Sequence, residues 1–343
     1  MGGAEEPALL RQRPPTAERV CIVNSGLTYD VTKFVDRHPG GREVLVKHAG
    51  QDVTQIMQMS PHKHSSAAYA MLRKYRIGDS EEQQNGVAKP TSNSYFSTED
   101  DELIDWSKPI LGQVAGLGKH YFTWTHQPVD QPIRLFKSDL LELLSKCPWW
   151  LVPLTWIPVS LYLLQRSYLG LSSNTVRWNL LATEIIVTPL IIPALVALGI
   201  FLWTFFEYSI HRWIFHLNPP PKSPLLIKMH FVLHGQHHKS PMDNMRLVFP
   251  PVPASMFAAA IFGTYLLVLP VSVAQAIFAG TILGYMAYDL IHYYIHHATP
   301  HSAYFSSLKR YHVKHHFEKQ QLGFGISSKL WDYPFGTLIK DTE

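Results

Sequence analysis

The chemistry of this 343-residue chain is indicated first by its histidines, which number 19. Ten of them fall into four short, regularly spaced clusters in the C-terminal half. In chain order the clusters are His211 and His216; His234, His237 and His238; His292 and His296; and His312, His315 and His316. Ten imidazoles would repel one another when protonated and would be costly to bury unpaired. We therefore predict that they converge as ligands of two metal ions, with a position left open for substrate or oxygen.

The spacing within each cluster predicts how a helix would present it. In the second and fourth clusters the histidines stand at i, i+3 and i+4, so on one helix face all three can point at one spot. The third cluster is an i, i+4 pair. The five-residue spacing of the first cluster requires a bend or a helix end between His211 and His216. Asp289, one turn before His292, is a candidate acceptor that would orient a ligand imidazole.

A second motif with chemistry is His38-Pro39-Gly40-Gly41. A turn with two glycines lets the backbone pass close to a flat cofactor, and the histidine can offer its imidazole to haem iron. The wider pattern YDVTKFVDRHPGG, followed by AGQD and HKHSSAA, resembles the cytochrome b5 haem-binding domain over about 60 residues. That resemblance implies haem b with His38 as one axial ligand. The second is His62 by spacing or His64 by its Ser-Ser-Ala context; we choose His64.

A haem with two histidine ligands has both axial positions filled, so it transfers electrons and does not bind oxygen. This favours a redox metal at the clustered histidines, because zinc has no redox chemistry and an electron donor beside it would be idle. Iron is therefore the expected metal of the active protein, although zinc can occupy such a site in isolated material.

The elements that must position these histidines are indicated by composition. Only 16% of residues are charged and 46% are hydrophobic, whereas a soluble protein usually carries about 25% charged residues. Since a membrane-spanning helix needs roughly 20 apolar residues, four segments qualify or nearly do, namely 148–168, 185–206, 252–271 and 273–291. Two hairpins of this kind would bring every histidine cluster to the membrane face that carries residues 1–80.

The predicted organisation follows from these segments. The fold class is a small α+β haem domain followed by an all-α integral membrane domain with four transmembrane helices and a histidine-rich cytosolic cap. We expect a haem domain at 16–80, a polar linker at 81–100, a membrane-proximal connecting region at 101–147 and the membrane domain at 148–343. Two distant cysteines indicate a reducing compartment, and the first residues lack the apolar core of a secretory signal, so we expect the N-terminus in the cytosol. A net charge of +4 gives no reason to expect nucleic acid.

The succession HxxxxH, HxxHH, HxxxH and HxxHH after membrane spans resembles the fatty acid hydroxylase and sterol desaturase superfamily over about 190–335. With the haem domain, the whole chain resembles the fatty acid 2-hydroxylases. The resemblance implies a multi-pass protein of the endoplasmic reticulum membrane that inserts one atom of O2 next to an acyl carbonyl, with R configuration, for ceramides and other sphingolipids. It also implies that the ten clustered histidines are the metal ligands, which leaves His230, His297 and His301 as outer or surface residues.

The substrate stays open among fatty acid, acyl-CoA and ceramide. Because the chain has no G-x-G-x-x-G nucleotide motif, NAD(P)H must be oxidised by a separate flavoprotein reductase. The alternatives are a desaturase or sterol oxidase of the same superfamily, and a non-enzymatic haem membrane anchor with structural zinc. A metal transporter would need polar residues within its spans, and these are nearly absent from 148–168 and 252–282.

Overall fold

The computed structural model describes residues 19–38, 40–59, 64, 66–77, 103–129, 131–173, 176–180 and 183–340. The expected linker at 81–100, Pro39 and His62 lie outside these ranges.

The N-terminal part is a small α+β unit, as the sequence predicts. Strands β1 (Cys21–Asn24) and β2 (Leu27–Asp30) form an antiparallel hairpin. Its turn residues Ser25 and Gly26 both have positive φ, 52° and 76°, which matches the twist of a tight hairpin. The described part of this unit also contains the helices α1 (Arg42–Lys47), α2 (Thr54–Gln58) and α3 (Ser66–Arg73). Its core consists of Val20, Ile22, Tyr29, Val31, Val35, Leu45, Val53, Met57 and Leu72.

The segment after residue 103 packs onto the second histidine cluster. It contains three short helices: α4 (Leu111–Val114), α5 (Tyr121–Thr125) and α6 (Asp139–Leu144). Tyr121 and Trp124 of α5 form one apolar core with Ile227 and Phe231, just upstream of that cluster. The buried Lys239 ties the two parts together, since its ammonium donates to the carbonyls of Trp124, at 3.0 Å, and Gln127, at 2.7 Å.

The C-terminal part is mostly helical. Its helices are α7 (Leu151–Ser173), α8 (Ile192–Ile210), α9 (Pro224–His230), α10 (Gln236–Lys239), α11 (Pro251–Val268), α12 (Val271–His297) and α13 (Ala303–Phe317). Strands β3 (Val176–Leu180) and β4 (Thr183–Val187) form a hairpin between α7 and α8. Helix α12 is central and packs along both α7 and α8. The backbones of α8 and α12 touch, because a Cβ added at Gly280 would lie 2.1 Å from the carbonyl oxygen of Val196.

Among the described residues, three helical stretches are long and apolar enough to cross a membrane: Pro189–Phe215, Pro251–Val268 and Val271–His297. The predicted span at 148–168 forms helix α7, but Gln165, Arg166 and several serines make that helix too polar to join them. The span predicted at 185–206 begins later than expected, because its first residues belong to β4 and Pro189 starts the helical turn that follows. The four-span topology with a cytosolic cap therefore stays a prediction.

Candidate functional site

All ten clustered histidines are buried, and none is more than 9% exposed. Nine of them form two groups within which the ligand nitrogens lie within 4.8 Å of one another. The five-histidine group is His237, His292, His296, His312 and His316, and the four-histidine group is His211, His216, His234 and His315. The tenth, His238, lies between the groups: its Nε2 is 3.1 Å from Nε2 of His234, and its ring is 4.4 Å from the ring of His316.

The expectation that each i, i+3, i+4 triad points at one spot is wrong. His234 belongs to the four-histidine group, whereas His237 belongs to the five-histidine group. The fourth cluster divides in the same way, with His315 in the four-histidine group and its two companions in the other. Each of these two helical segments thus lies between the groups and contributes histidines to both.

The five-residue spacing of the first cluster is produced by a π-helical turn. Residues His211–Phe215 are π-helical, and the backbone N–H of His216 donates to the carbonyl of His211 at 3.0 Å. Because this i to i+5 turn holds one extra residue, it brings the two rings to 4.8 Å. A second π-helical segment, Phe231–Gly235, precedes α10 and carries His234. The helix therefore widens after His211 and ends at Phe215, with His216 as its C-cap.

The nitrogen separations suit metal ligands. Within the five-histidine group, Nε2 of His312 lies 2.9 Å from that of His296 and 3.0 Å from that of His292. Metal–nitrogen bonds of about 2.1 Å place adjacent ligands about 3.0 Å apart at right angles and about 3.4 Å apart in a tetrahedron, so these values fit more than four ligands. His237 Nε2 is buried without a hydrogen-bond partner among the described residues, a costly state that a metal ion would relieve.

The imidazoles are held neutral by their surroundings. Burial lowers the pKa of His234, His237 and His316 well below the ordinary value, and the neighbouring histidines lower it further. At neutral pH each of these rings therefore keeps a lone pair, which is the form that binds a metal.

One loop fixes two imidazole rings of the four-histidine group. Residues 322–328, called the GFG loop here, present backbone carbonyls to the outer nitrogens of the rings. Nδ1 of His211 donates to the carbonyl of Phe324 at 2.6 Å, and Nδ1 of His315 donates to that of Leu322 at 2.7 Å. Each bond leaves Nε2 deprotonated and turned toward the group, which is the usual outer support of a metal-binding histidine.

Two buried carboxylates hold the GFG loop. Glu207 accepts from the backbone N–H of Ser327 at 2.7 Å and from its hydroxyl. Asp332 accepts from the N–H groups of Phe324 and Gly325, at 2.9 and 3.0 Å. The sequence reasoning missed both acids, although Glu207 carried a signal: an acid within an apolar stretch is usually functional.

Asp289 does not play the role expected of it. Its carboxylate accepts from the backbone N–H of Phe249, at 3.1 Å, and from the hydroxyl of Tyr285, at 3.0 Å, and no histidine donates to it among the described residues. The carboxylate is instead engaged by the segment before α11, although Asp289 and His292 line the same cavity.

The histidines that lie outside the clusters in the C-terminal half differ in their burial. His230 is buried and bonds to the hydroxyl of Tyr121 at 2.5 Å, and burial lowers its pKa to about 4. His297 is half-buried against the ring of Tyr293, and His301 is exposed. His126, which the sequence reasoning missed, lies with its ring 5.1 Å from that of His238. No spacing could have indicated His126, because it comes from a separate segment of the chain.

A cavity opens beside both groups. It is lined by His234 of the four-histidine group and by His237 and His292 of the five-histidine group, together with Asp289 and apolar side chains. A second, almost wholly apolar cavity lies between α7, α8, α11 and α12. The two cavities share the walls Phe215, Phe249 and Tyr288. An extended apolar molecule could therefore lie in the second cavity with its polar end at the histidines.

In the N-terminal unit, the rings of His38 and His64 face each other. Their centroids are 6.2 Å apart and their planes differ by 23°. Two metal–nitrogen bonds of about 2 Å, plus about 1 Å from each nitrogen to its ring centre, require nearly this separation. Gly40 leaves the space for the ring, since a Cβ there would lie 2.8 Å from Cε1 of His38. His62 lies outside the described residues.

The turn that carries His38 touches the helical part of the protein. Gly41 has φ of 93°, and a Cβ added to it would lie 3.0 Å from Cγ2 of Thr299, two residues beyond the end of α12. The 3₁₀ turn Val35–Arg37 also lies against α12. The candidate haem site is thus next to the helix that carries His292 and His296.

Two family models match the chain. Residues 8–81 match the cytochrome b5-like heme/steroid binding domain, and residues 196–337 match the fatty acid hydroxylase family.

Several curated proteins are similar over most of the chain. The fatty acid 2-hydroxylase of Rattus norvegicus is 45% identical over 95% of this chain and 93% of its own length. The dihydroceramide fatty acyl 2-hydroxylase FAH1 of Arabidopsis thaliana is 42% identical over 68% of this chain and 93% of its own. The ceramide very long chain fatty acid hydroxylase SCS7 of Saccharomyces cerevisiae is 32% identical over 91% and 88%. A solved structure of full-length scs7p, with only the hydroxylase domain visible, matches with a TM-score of 0.61 and 33% identity, covering 70% of this chain and 88% of that one.

Proposed function

This chain belongs to the fatty acid 2-hydroxylase family, and from that membership we propose that it inserts one oxygen atom of O2 at carbon 2 of a fatty acyl chain destined for ceramide and other sphingolipids. As a member it is an oxidoreductase with a cytochrome b5-like domain and a fatty acid hydroxylase domain. We further propose that the product has R configuration and that the protein works in the endoplasmic reticulum membrane with its histidines facing the cytosol.

The ten clustered histidines are the proposed ligands of two metal ions, and His38 and His64 are the proposed axial ligands of haem b. When bound, the metal ions, expected to be iron, would supply the activation of O2 and the haem would supply electrons one at a time. A separate flavoprotein reductase would oxidise NAD(P)H, since the chain lacks its own nucleotide motif.

The observation that carries the proposal is the pair of adjoining cavities. His234, His237 and His292 line the outer cavity, so an acyl head lying there meets nitrogens of both histidine groups. The apolar inner cavity would hold the tail by burial of its methylenes, each favourable by about 0.8 kcal/mol. Phe249 stands between the cavities, and the buried Asp289 fixes its backbone through the N–H bond. In this way the chain holds the carbon next to the carbonyl near the ligand set.

The contact between Gly41 and Thr299 supports the electron donor assignment. It keeps the candidate haem site beside the end of α12, so an electron would need to travel only along that helix end to reach His296. A tethered donor at this position also acts at a high effective concentration.

The experiment is lipid mass spectrometry of cells that express the chain or its variants. The wild type should raise 2-hydroxylated acyl chains, whereas a desaturase would yield new double bonds. His234→Ala should abolish the product and reduce the metal content without changing the haem spectrum. His38→Ala should remove the haem signal and lower turnover without changing the metal content. His301→Ala is the matched control, since that histidine is exposed and outside both groups. Persistence of the 2-hydroxylated lipids at wild-type levels in both cluster and haem variants would refute the proposal.

A further inference from the structure

Helix α6 (Asp139–Leu144) exposes the side chains that a helix in water would bury. Its four leucines are each 50–68% exposed, and these are Leu140, Leu141, Leu143 and Leu144. Glu142 points inward instead, where its carboxylate accepts from Arg246 at 2.5 Å and from the N–H of Leu135 at 2.9 Å. A water-facing helix has the opposite arrangement, with its leucines on the core; in α6 only Asp139, at the first residue and paired with Arg134, has the outward position usual for a charge. The inversion indicates an apolar environment on the outer side of α6.

The apolar surface continues beyond α6 into the next helix. Trp149 and Trp150 are about half exposed immediately before α7, at a position typical of tryptophans at a membrane interface. Leu154 and Leu161 of α7 are more than half exposed as well. The backbone N–H of Cys147 donates to the carbonyl of Met245 at 2.7 Å, which holds the connection in place. Exposed apolar side chains therefore recur along the chain from α6, through Trp149 and Trp150, onto the long helix α7.

One edge of α6 also reaches the candidate site. Leu141 and Leu144 line the outer cavity that contains His234, His237 and His292. Leu140 and Leu143 do not line it and point outward. Since residues three apart share a helix face, α6 presents one leucine pair to the cavity and the other pair to its surroundings.

We propose that α6 lies in the headgroup–acyl boundary of the bilayer and forms one wall of a lateral port, through which an acyl chain passes from the leaflet into the outer cavity. The occupant of its outer face is lipid, because Leu140 and Leu143 are exposed there, Trp149 and Trp150 follow them along the chain, and the single charge of α6 beside them, Asp139 at its first residue, is paired with Arg134. The passage of an acyl substrate through this port rests on the proposed function. It means that the substrate is taken from the membrane and not from water.

The placement of α6 is tested by fluorescence quenching in phosphatidylcholine liposomes that contain the full chain with haem and metals. An environment-sensitive fluorophore is attached at Leu143→Cys, with Cys21→Ser as background because Cys147 is fully buried. The matched control carries the label at Lys47→Cys, an exposed position on α1 of the haem unit. Lipid-borne nitroxide should quench the label at 143 and leave that at 47 unaffected. Equal lack of quenching at both would overturn the proposal, since the face would then be in water or covered by protein.

The port itself is tested by turnover of an acyl substrate embedded in the same liposomes. In liposomes the turnover rate of the Leu140→Asp/Leu143→Asp double variant should fall roughly tenfold, because charged side chains are unfavourable in the boundary region. In detergent micelles the fall should be much smaller. Leu140→Met/Leu143→Met keeps the surface apolar and should behave like the wild type, and haem and metal content should be equal in all three. Wild-type rates for the aspartate variant in liposomes would overturn the port. Absence of any 2-hydroxylated product from the wild type would instead refute the proposed function, while the quenching result would still decide where α6 lies.

Discussion

At the scale of single residues, the two histidine groups differ in what holds their rings. His211 and His315 of the four-histidine group donate to carbonyls of the GFG loop, which fixes both their tautomer and their orientation. In the five-histidine group, Nδ1 of His312 and of His316 has no hydrogen-bond partner among the described residues. The four-histidine group therefore depends on the loop, and through it on the buried carboxylate of Asp332.

The Asp332→Asn variant tests this dependence. The amide of asparagine has only one oxygen to accept from the N–H groups of Phe324 and Gly325. The loop should therefore shift, and the hydrogen bond from Nδ1 of His211 to the carbonyl of Phe324 should weaken. Outer support of this kind typically contributes about 10–100-fold in metal affinity. In this variant we expect one of the two metal ions to be removed at a lower chelator concentration than in the wild type, with the haem spectrum unchanged. Elemental analysis of metal per chain measures this. Asp105→Asn, at a half-exposed carboxyl, is the control; identical chelation curves for the two variants would contradict the account.

The residue types of the site could be predicted from the sequence, but their partners could not. Imidazoles in four spaced clusters indicate metal ligands whatever the fold, because buried histidines need partners. Which group each histidine joins depends on where neighbouring helices lie, so the triads at 234–238 and 312–316 divide in a way that no spacing rule gives. The carbonyls of Leu322 and Phe324 could not be predicted either, since every residue carries one.

At the scale of elements, the site depends on the close packing of α8 and α12. Helix α8 leads into His211, and helix α12 carries His292 and His296. The distance between these two helices therefore sets the distance between the two histidine groups. Glycines permit that approach: added Cβ atoms would lie 1.9 Å from the carbonyl oxygen of Ile277 at Gly199, and 2.1 Å from that of Val196 at Gly280. Small residues at such crossings let helix backbones touch within a membrane.

Gly280→Ala should therefore push α8 and α12 apart. Overpacking of this kind costs about 1–3 kcal/mol, and metal binding should weaken as well because ligands from both helices move. Gly263→Ala is a matched control on α11, where a Cβ would meet nothing within 4 Å. Thermal unfolding of the full chain in detergent should show a lower midpoint for Gly280→Ala only. Equal midpoints for the two variants would show that the crossing tolerates a methyl group.

The elements themselves were predictable only in part. Apolar length indicated α11 and α12, but the hairpin of β3 and β4 was missed because apolar β-branched residues suit a membrane helix and a strand equally. The π-helical turn at His211–Phe215 was also missed, since an ideal helix places residues five apart on different faces. Sequence spacing there indicated a bend or a helix end between His211 and His216, and the helix does end at Phe215, after it has widened by one residue.

At the scale of the whole molecule, the haem unit lies against the end of α12. Gly41 in its His-Pro-Gly-Gly turn contacts Thr299, which brings the proposed donor next to the helix that holds two ligands of the five-histidine group. Sequence could indicate both units but not their contact, because neither Gly41 nor Thr299 carries a chemical group that marks an interface.

Thr299→Trp should separate the two units by steric bulk. The haem should still be reduced at the wild-type rate by its reductase, but its reoxidation in the presence of acyl substrate and O2 should slow severalfold, measured by stopped-flow absorbance. Metal content should not change, and Thr299→Ser should behave like the wild type. Unaltered reoxidation in the tryptophan variant would mean that electrons follow another route.

The most direct test of the central claim is reconstitution of metal-free protein. The full chain is stripped by chelation, dialysed, and supplied with Fe(II) or Zn(II) before the 2-hydroxylated product is measured together with metal per chain. We predict that product formation returns with iron, reaches its maximum at two ions per chain, and does not return with zinc. Full product formation by protein that elemental analysis shows to be metal-free would contradict the claim that the clustered histidines bind the ions at which the acyl chain is hydroxylated.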